Sequence, residues 1–135
     1  MDQQNFIKLK KYIESKIKLT KDNLEEKSAS LSTLYFYCVD IYSDEFKIYK
    51  NMKVDSESIY GKLYKKYAYG YNIQLKTKNE IDAHIWSDEE YFACMKNLNH
   101  QEAVVRFLEE SITMIKQIGY TIKNMIEIQR AKSGV

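Results

Sequence analysis

From Leu31 to Leu63 apolar side chains return every three or four residues, a spacing that keeps them on one face of a helix for about nine turns. Leu31, Leu34, Tyr35, Cys38, Ile41, Tyr42, Ile48, Tyr49, Met52, Ile59, Tyr60 and Leu63 trace this stripe, which only Glu45 and the Asp55–Ser56 pair interrupt. The whole chain of 135 residues contains no proline and four glycines, Gly61, Gly70, Gly119 and Gly134. With so few helix breakers, a stripe of this length predicts a long helix that must lie against another long helix.

The partner is legible further on. Tyr91, Cys94, Met95, Leu98, Val105, Leu108, Ile112, Ile115, Ile122, Met125 and Ile126 form a second long stripe. Gly119 falls between two of its turns, so the last segment is expected to bend or stand off as its own helix. Before the first stripe, Phe6, Leu9, Ile13 and Ile17 mark a short amphipathic helix, and Thr20 or Asp22 is placed to cap a second short turn through Leu24. Gly70 occupies the position of a left-handed cap after the first long helix. In the connection, Thr77 with Glu80 and Ser87 with Glu90 each have the form of a capping box. The expected fold is all-α and a single domain. It comprises short N-terminal helices over 1–29, a long helix over 31–69, a connection over 70–87, and a second long helix over 88–131 that packs antiparallel on the first. That helix ends in an oligomerisation segment. Ile122, Met125, Ile126 and Ile128 do not share one narrow face, and apolar surface of that kind marks self-association.

Several function classes drop out. No apolar run approaches the roughly 20 residues of a membrane span, and the N-terminus lacks the apolar core of a secretory signal, so an intracellular protein is expected. Cys38 and Cys94 lie on the apolar stripes as small hydrophobes, and neither forms a zinc-ligand spacing with His84 or His100. No metal or other cofactor is expected. There is no phosphate-binding glycine loop and no nucleophile–base pattern. The paired acids at 25–26, 89–90 and 109–110 fall on solvent faces or first helical turns, so no catalytic residue is assigned and the chain is expected not to be an enzyme.

The net charge of +2 conceals a bipolar distribution. Residues 46–78 carry +6, whereas 30–45 and 79–135 each carry −3. The basic block also holds Tyr49, Tyr60, Tyr64, Tyr67, Tyr69 and Tyr71, half of the twelve tyrosines. Its densest part is GKLYKKYAYGYN, residues 61–72. Tyr60, Leu63, Tyr64 and Tyr67 follow core spacing, and lysines commonly just solvate a face. Tyr69 and Tyr71, however, lie off the stripe around a glycine. Cations that follow a phosphate backbone, interleaved with rings on which bases stack, suit single-stranded nucleic acid of any sequence. The alternative is a helical assembly protein without nucleic-acid binding, its tyrosines at a subunit interface.

Three stretches resemble the UvsY recombination mediators of T-even-like phages. EAVVRFLEESITMIKQIGYTIKNMIEIQR resembles their closing segment, with Ile115-Lys116, Gly119-Tyr120 and Ile122-Lys123-Asn124 in matching order and spacing. LYKKYAYG resembles their basic–aromatic motif, and NLEEKSASL is a weaker third match. One departure is Tyr64, where the family commonly has arginine. The resemblance covers most of 22–130. It implies a non-enzymatic oligomer, a ring by analogy, that binds single-stranded DNA and loads the phage recombinase onto strands covered by the phage single-strand-binding protein, in the cytoplasm of the infected host. By position it implies DNA binding at Lys62, Lys65, Lys66, Tyr67 and Tyr69, and assembly at Tyr120, Ile122, Met125 and Ile126. With neighbouring lysines and rings, the expected DNA-binding set is Lys62, Tyr64, Lys65, Lys66, Tyr67, Tyr69, Tyr71, Lys76 and Lys78. The expected assembly set is Ile115, Ile118, Tyr120, Ile122, Met125 and Ile126.

Overall fold

The computed structural model describes residues 1–18, 24–70 and 77–134. Four helices account for nearly all of them: α1 (Gln3–Lys16), α2 (Leu24–Tyr69), α3 (Lys78–Trp86) and α4 (Glu89–Lys132). No strand occurs among the described residues. Contacts divide the chain into two compact units, Met1–Glu45 with Val104–Val135, and Phe46–Ala103.

In the first unit α1 starts at Asp2, whose carboxylate accepts the Asn5 amide at 2.7 Å. That bond satisfies a backbone donor which the first turn leaves unpaired. Phe6, Leu9 and Ile13 then turn one face of α1 into the core. They meet Leu24, Leu31, Leu34 and Cys38 of α2 and Val104, Leu108, Ile115 and Ile122 of α4. Each such side chain contributes about 1.5–3 kcal/mol by leaving water. Here α2 and α4 run antiparallel: Glu25 pairs with Arg130 at 3.6 Å, and Tyr42 donates to Glu109 at 2.8 Å. The long helix starts at Leu24, seven residues before the expected start, because Leu24 is itself buried on the same stripe as Leu31. The Thr20 and Asp22 caps lie outside the described residues. Glu45, which interrupts the stripe in sequence, is buried and paired with the Met1 amino group at 3.3 Å.

The second unit holds the last turns of α2, α3 and the first turns of α4 around Leu63, Ile81 and Ile85. Thr77 caps α3 as expected, accepting the Glu80 amide at 3.2 Å. At α4 the cap is Asp88 instead of Ser87. The Asp88 Oδ1 accepts the Glu90 amide at 2.9 Å, whereas the Ser87 hydroxyl donates back to the Ala83 carbonyl at 3.0 Å.

Two glycine expectations are corrected. Gly70 does not adopt a positive φ; among the described glycines only Gly134 does, at 72°. Gly70 is required by a close approach, since a Cβ there would stand 2.9 Å from the Lys66 carbonyl oxygen. Gly119 does not break α4, which is continuous from Glu89 to Lys132. Ile118 and Ile122 keep the apolar stripe running across it, and helical spacing prevails over the local cost of glycine. Cys38 is fully buried and its thiol pKa is raised by that burial. Cys94 is half-buried, its thiol raised first by burial and then by the charges of Asp55 and Glu90. No described helix is long and apolar enough to cross a membrane.

Candidate nucleic-acid interface

The end of α2 has two faces, and the sequence interleaves them. Leu63 points inward with Tyr60, Tyr64 and Tyr67 beside it, packed on Ile81 and Ile85 of α3. Two of these rings are further held by carboxylates. Tyr60 donates its hydroxyl to Asp82 Oδ1 at 2.5 Å, which together with desolvation pushes its pKa up to about 12. Tyr67 donates to Asp88 Oδ2 at 2.6 Å and stacks on the His84 ring at a centroid distance of 5.5 Å. That hydroxyl is the main reason the Asp88 carboxyl lies below its usual range; the Tyr91 and Glu90 amides and nearby Lys66 act the same way, against desolvation. Asp88 thus uses one oxygen to start α4 and the other to hold α2.

The opposite face carries Lys62, Lys65, Lys66 and Tyr69, at i, i+3, i+4 and i+7, all exposed. This is one helical stripe of three cations leading to a ring that is 83% exposed. The cations are not equivalent. Lys62 forms an exposed ion pair with Glu90 at 3.4 Å, which neutralises part of its field. Lys66 lies over the Tyr67 ring at 5.4 Å. Lys65 makes no ion pair with a described residue. Lys78 is exposed at the first position of α3.

Of the expected DNA-binding set, Lys62, Lys65, Lys66 and Tyr69 therefore share one solvent face. Tyr64 is half-buried with its ring tilted against Tyr60 at 6.1 Å, and Tyr67 is a packing residue tied to Asp88. Tyr71 and Lys76 lie outside the described residues. Sequence reasoning passed over Asp82 and Asp88, the carboxylates that decide which tyrosines are free. It also passed over Trp86 and Phe92, both largely exposed in this unit. Each directly follows an inward-facing residue, Ile85 or Tyr91, and so falls off the stripe. That phase was the available signal.

The assembly set belongs to the other unit and divides by depth. Ile115 and Ile122 are buried in the chain's own core, which removes them from any exposed contact surface. Ile118, Met125 and Ile126 are partly buried against it, and Tyr120 is 68% exposed. Met114, Ile118, Met125 and Ile128 fall on one flank of α4, spaced by four, seven and three residues, and Met114 and Ile128 are exposed. Among the described residues no cluster of His, Cys, Asp or Glu could hold a metal ion.

Residues 11–135 match the family model described as recombination, repair and ssDNA binding protein UvsY. A search of the curated proteins finds no match. Among solved structures, the chain is similar to crystal structures of the bacteriophage T4 recombination mediator protein UvsY. Lattice type II superposes with a TM-score of 0.82 at 14% identity, covering 98% of each chain. Lattice type IV gives 0.80 at 14% identity over 94% of this chain and 98% of that one. Lattice type I gives 0.79 at 14% identity over 93% and 98%. At that identity the likeness shows a shared fold.

Proposed function

This chain belongs to the UvsY family of recombination, repair and single-stranded-DNA-binding proteins, and from that premise we propose that it acts as a recombination mediator without catalytic chemistry of its own. It binds single-stranded DNA as an oligomer and helps a phage strand-exchange recombinase replace single-strand-binding protein on the strand, in the cytoplasm of the infected cell. The observation that carries this reading is the outward stripe of Lys62, Lys65, Lys66 and Tyr69 on α2. Lys65 and Lys66 follow the phosphates, and Tyr69 offers a ring face to one base. Tyr64 and Tyr67, packed on the opposite face against α3, hold the stripe in place.

One such stripe is a weak site. Self-association supplies the rest, through the apolar flank of α4 formed by Met114, Ile118, Met125 and Ile128. Several copies joined in a ring engage one strand at raised effective concentration, so weak sites add up to firm binding without base specificity.

The test is fluorescence anisotropy of a labelled single strand, and of a duplex of equal length, titrated at several salt concentrations. Tighter binding to the single strand with a steep salt slope supports the reading. Absence of binding at low salt overturns it and leaves a helical assembly protein whose tyrosines serve packing.

A further inference from the structure

The first unit contains a second place where rings and lysines meet. Between the early turns of α2 and the late turns of α4 lies a groove of about 430 Å³, the size of ordinary ligand clefts. Tyr35 and Phe36 line one wall, and Lys116, Tyr120 and Lys123 the other. Gly119 sits in the wall with nothing within 4 Å of where its Cβ would be, so the missing side chain opens the groove. Phe36 and Tyr120 are 65% and 68% exposed, an unusual outlay of aromatic surface. Lys116 lies over the Tyr35 ring at 5.6 Å.

We propose that this groove is a second single-stranded-DNA subsite, in which one or two unstacked bases lie against Phe36 and Tyr120 while Lys116 and Lys123 meet the flanking phosphates. The inference rests on the reading of the chain as a single-strand binder but not on the Lys62–Tyr69 stripe. Charge selects this occupant. No carboxylate lines the groove, so both lysines face it without an acidic partner there. A second copy docked groove to groove would set Lys116 and Lys123 against the same two cations. The centre of the apolar flank available for self-association lies elsewhere: at 3.6 residues per turn, Tyr120 stands about 120–160° around α4 from Met114, Ile118 and Met125, and about 80° from Ile128.

The experiment measures single-strand affinity and solution mass for Phe36→Ala, Tyr120→Ala and Gly119→Leu, each alone and combined with Lys65→Ala/Lys66→Ala. The two ring changes remove exposed atoms, and the leucine grows into open space, so the fold is retained in all three. The expected result is a loss of about 5- to 140-fold in affinity for each ring, the range of one lost stacked base. Gly119→Leu should also weaken binding, with mass unchanged and the losses present in both backgrounds. In the native protein, a 5-bromodeoxyuridine strand should photocrosslink to the peptide holding Phe36 or Tyr120. Unchanged affinity in all three variants overturns the proposal, as does an altered oligomeric mass that accounts for the loss, which would assign the groove to self-association. If Lys65→Ala/Lys66→Ala costs nothing while the groove variants do, the stripe is refuted and the groove stands. A native protein that binds no single strand refutes both.

Discussion

Replacing Lys65 and Lys66 together by alanine is the sharpest test of the stripe, because its effect has a computable dependence on salt. Both side chains are exposed at the end of a helix whose packing is carried by Leu63, Tyr64 and Tyr67 on the other side, so stability should be retained. Each lysine that neutralises a phosphate of a single strand releases counterions and adds about 0.7 to the slope of log affinity against log salt. Losing both lowers that slope by about 1.4 for each subunit engaged. Taken as counterion release alone, the pair contributes about 70-fold to affinity at about 50 mM salt and about 10-fold at about 200 mM. The double variant and the native protein should therefore converge as salt rises. Anisotropy titrations at four or five salt concentrations, with circular dichroism to confirm the fold, read this directly. A constant ratio of affinities across the series, or parallel slopes, would refute the claim that these lysines contact phosphates.

Removing the carboxylate that shields Lys62, by Glu90→Gln, should tighten single-strand binding and steepen the salt slope, against the usual effect of changing a surface acid; unchanged binding would mean that Lys62 faces no phosphate. Tyr67→Phe deletes the hydroxyl held by Asp88 and should cost about 1 kcal/mol in urea unfolding at neutral pH. Because the folded Asp88 carboxyl titrates below its ordinary value of about 4, this difference should be complete above that pH and fade as pH falls through the depressed value. A difference that persists into strong acid would assign it to packing alone. Gly61→Ala and Gly119→Ala place methyl groups in open space inside helices and should each raise stability by about 0.5–1 kcal/mol, seen as a higher thermal midpoint.

The long helices were readable because their stripes are long. Errors in any single turn are outvoted, and even Glu45 and Ser56, which look like interruptions, occupy inward positions and are buried. The start of α2 at Leu24 was missed for the opposite reason. A lone leucine followed by a serine- and alanine-rich turn carries little pattern, although it stands two turns from Leu31 on the same face. The cap of α4 was missed by one residue, since both Ser87 and Asp88 can cap. The choice was made by Tyr67, more than twenty residues away in sequence, which engages the other Asp88 oxygen. The same kind of distant information sorts the tyrosines. Composition marks residues 61–72 as rich in rings, but only the docking of α3 against α2 shows that Tyr60 and Tyr67 are committed to packing and Tyr69 is not. The assembly set was chosen from a matching stretch of sequence, which cannot say that Ile115 and Ile122 point into the chain's own core while Tyr120 points out.

The double use of Asp88 has a consequence for how this protein can change over generations. A phenylalanine at position 67 would still fill the space beneath Ile81 and Ile85, and would free position 88 to become serine, threonine or asparagine, all able to start a helix. A tyrosine at 67 adds a second use for the aspartate beyond starting the helix, which a neutral cap serves less well. A change at one of the two positions therefore alters what the other contributes, and the pair should tolerate a joint exchange to phenylalanine and a neutral cap better than the loss of the carboxylate alone.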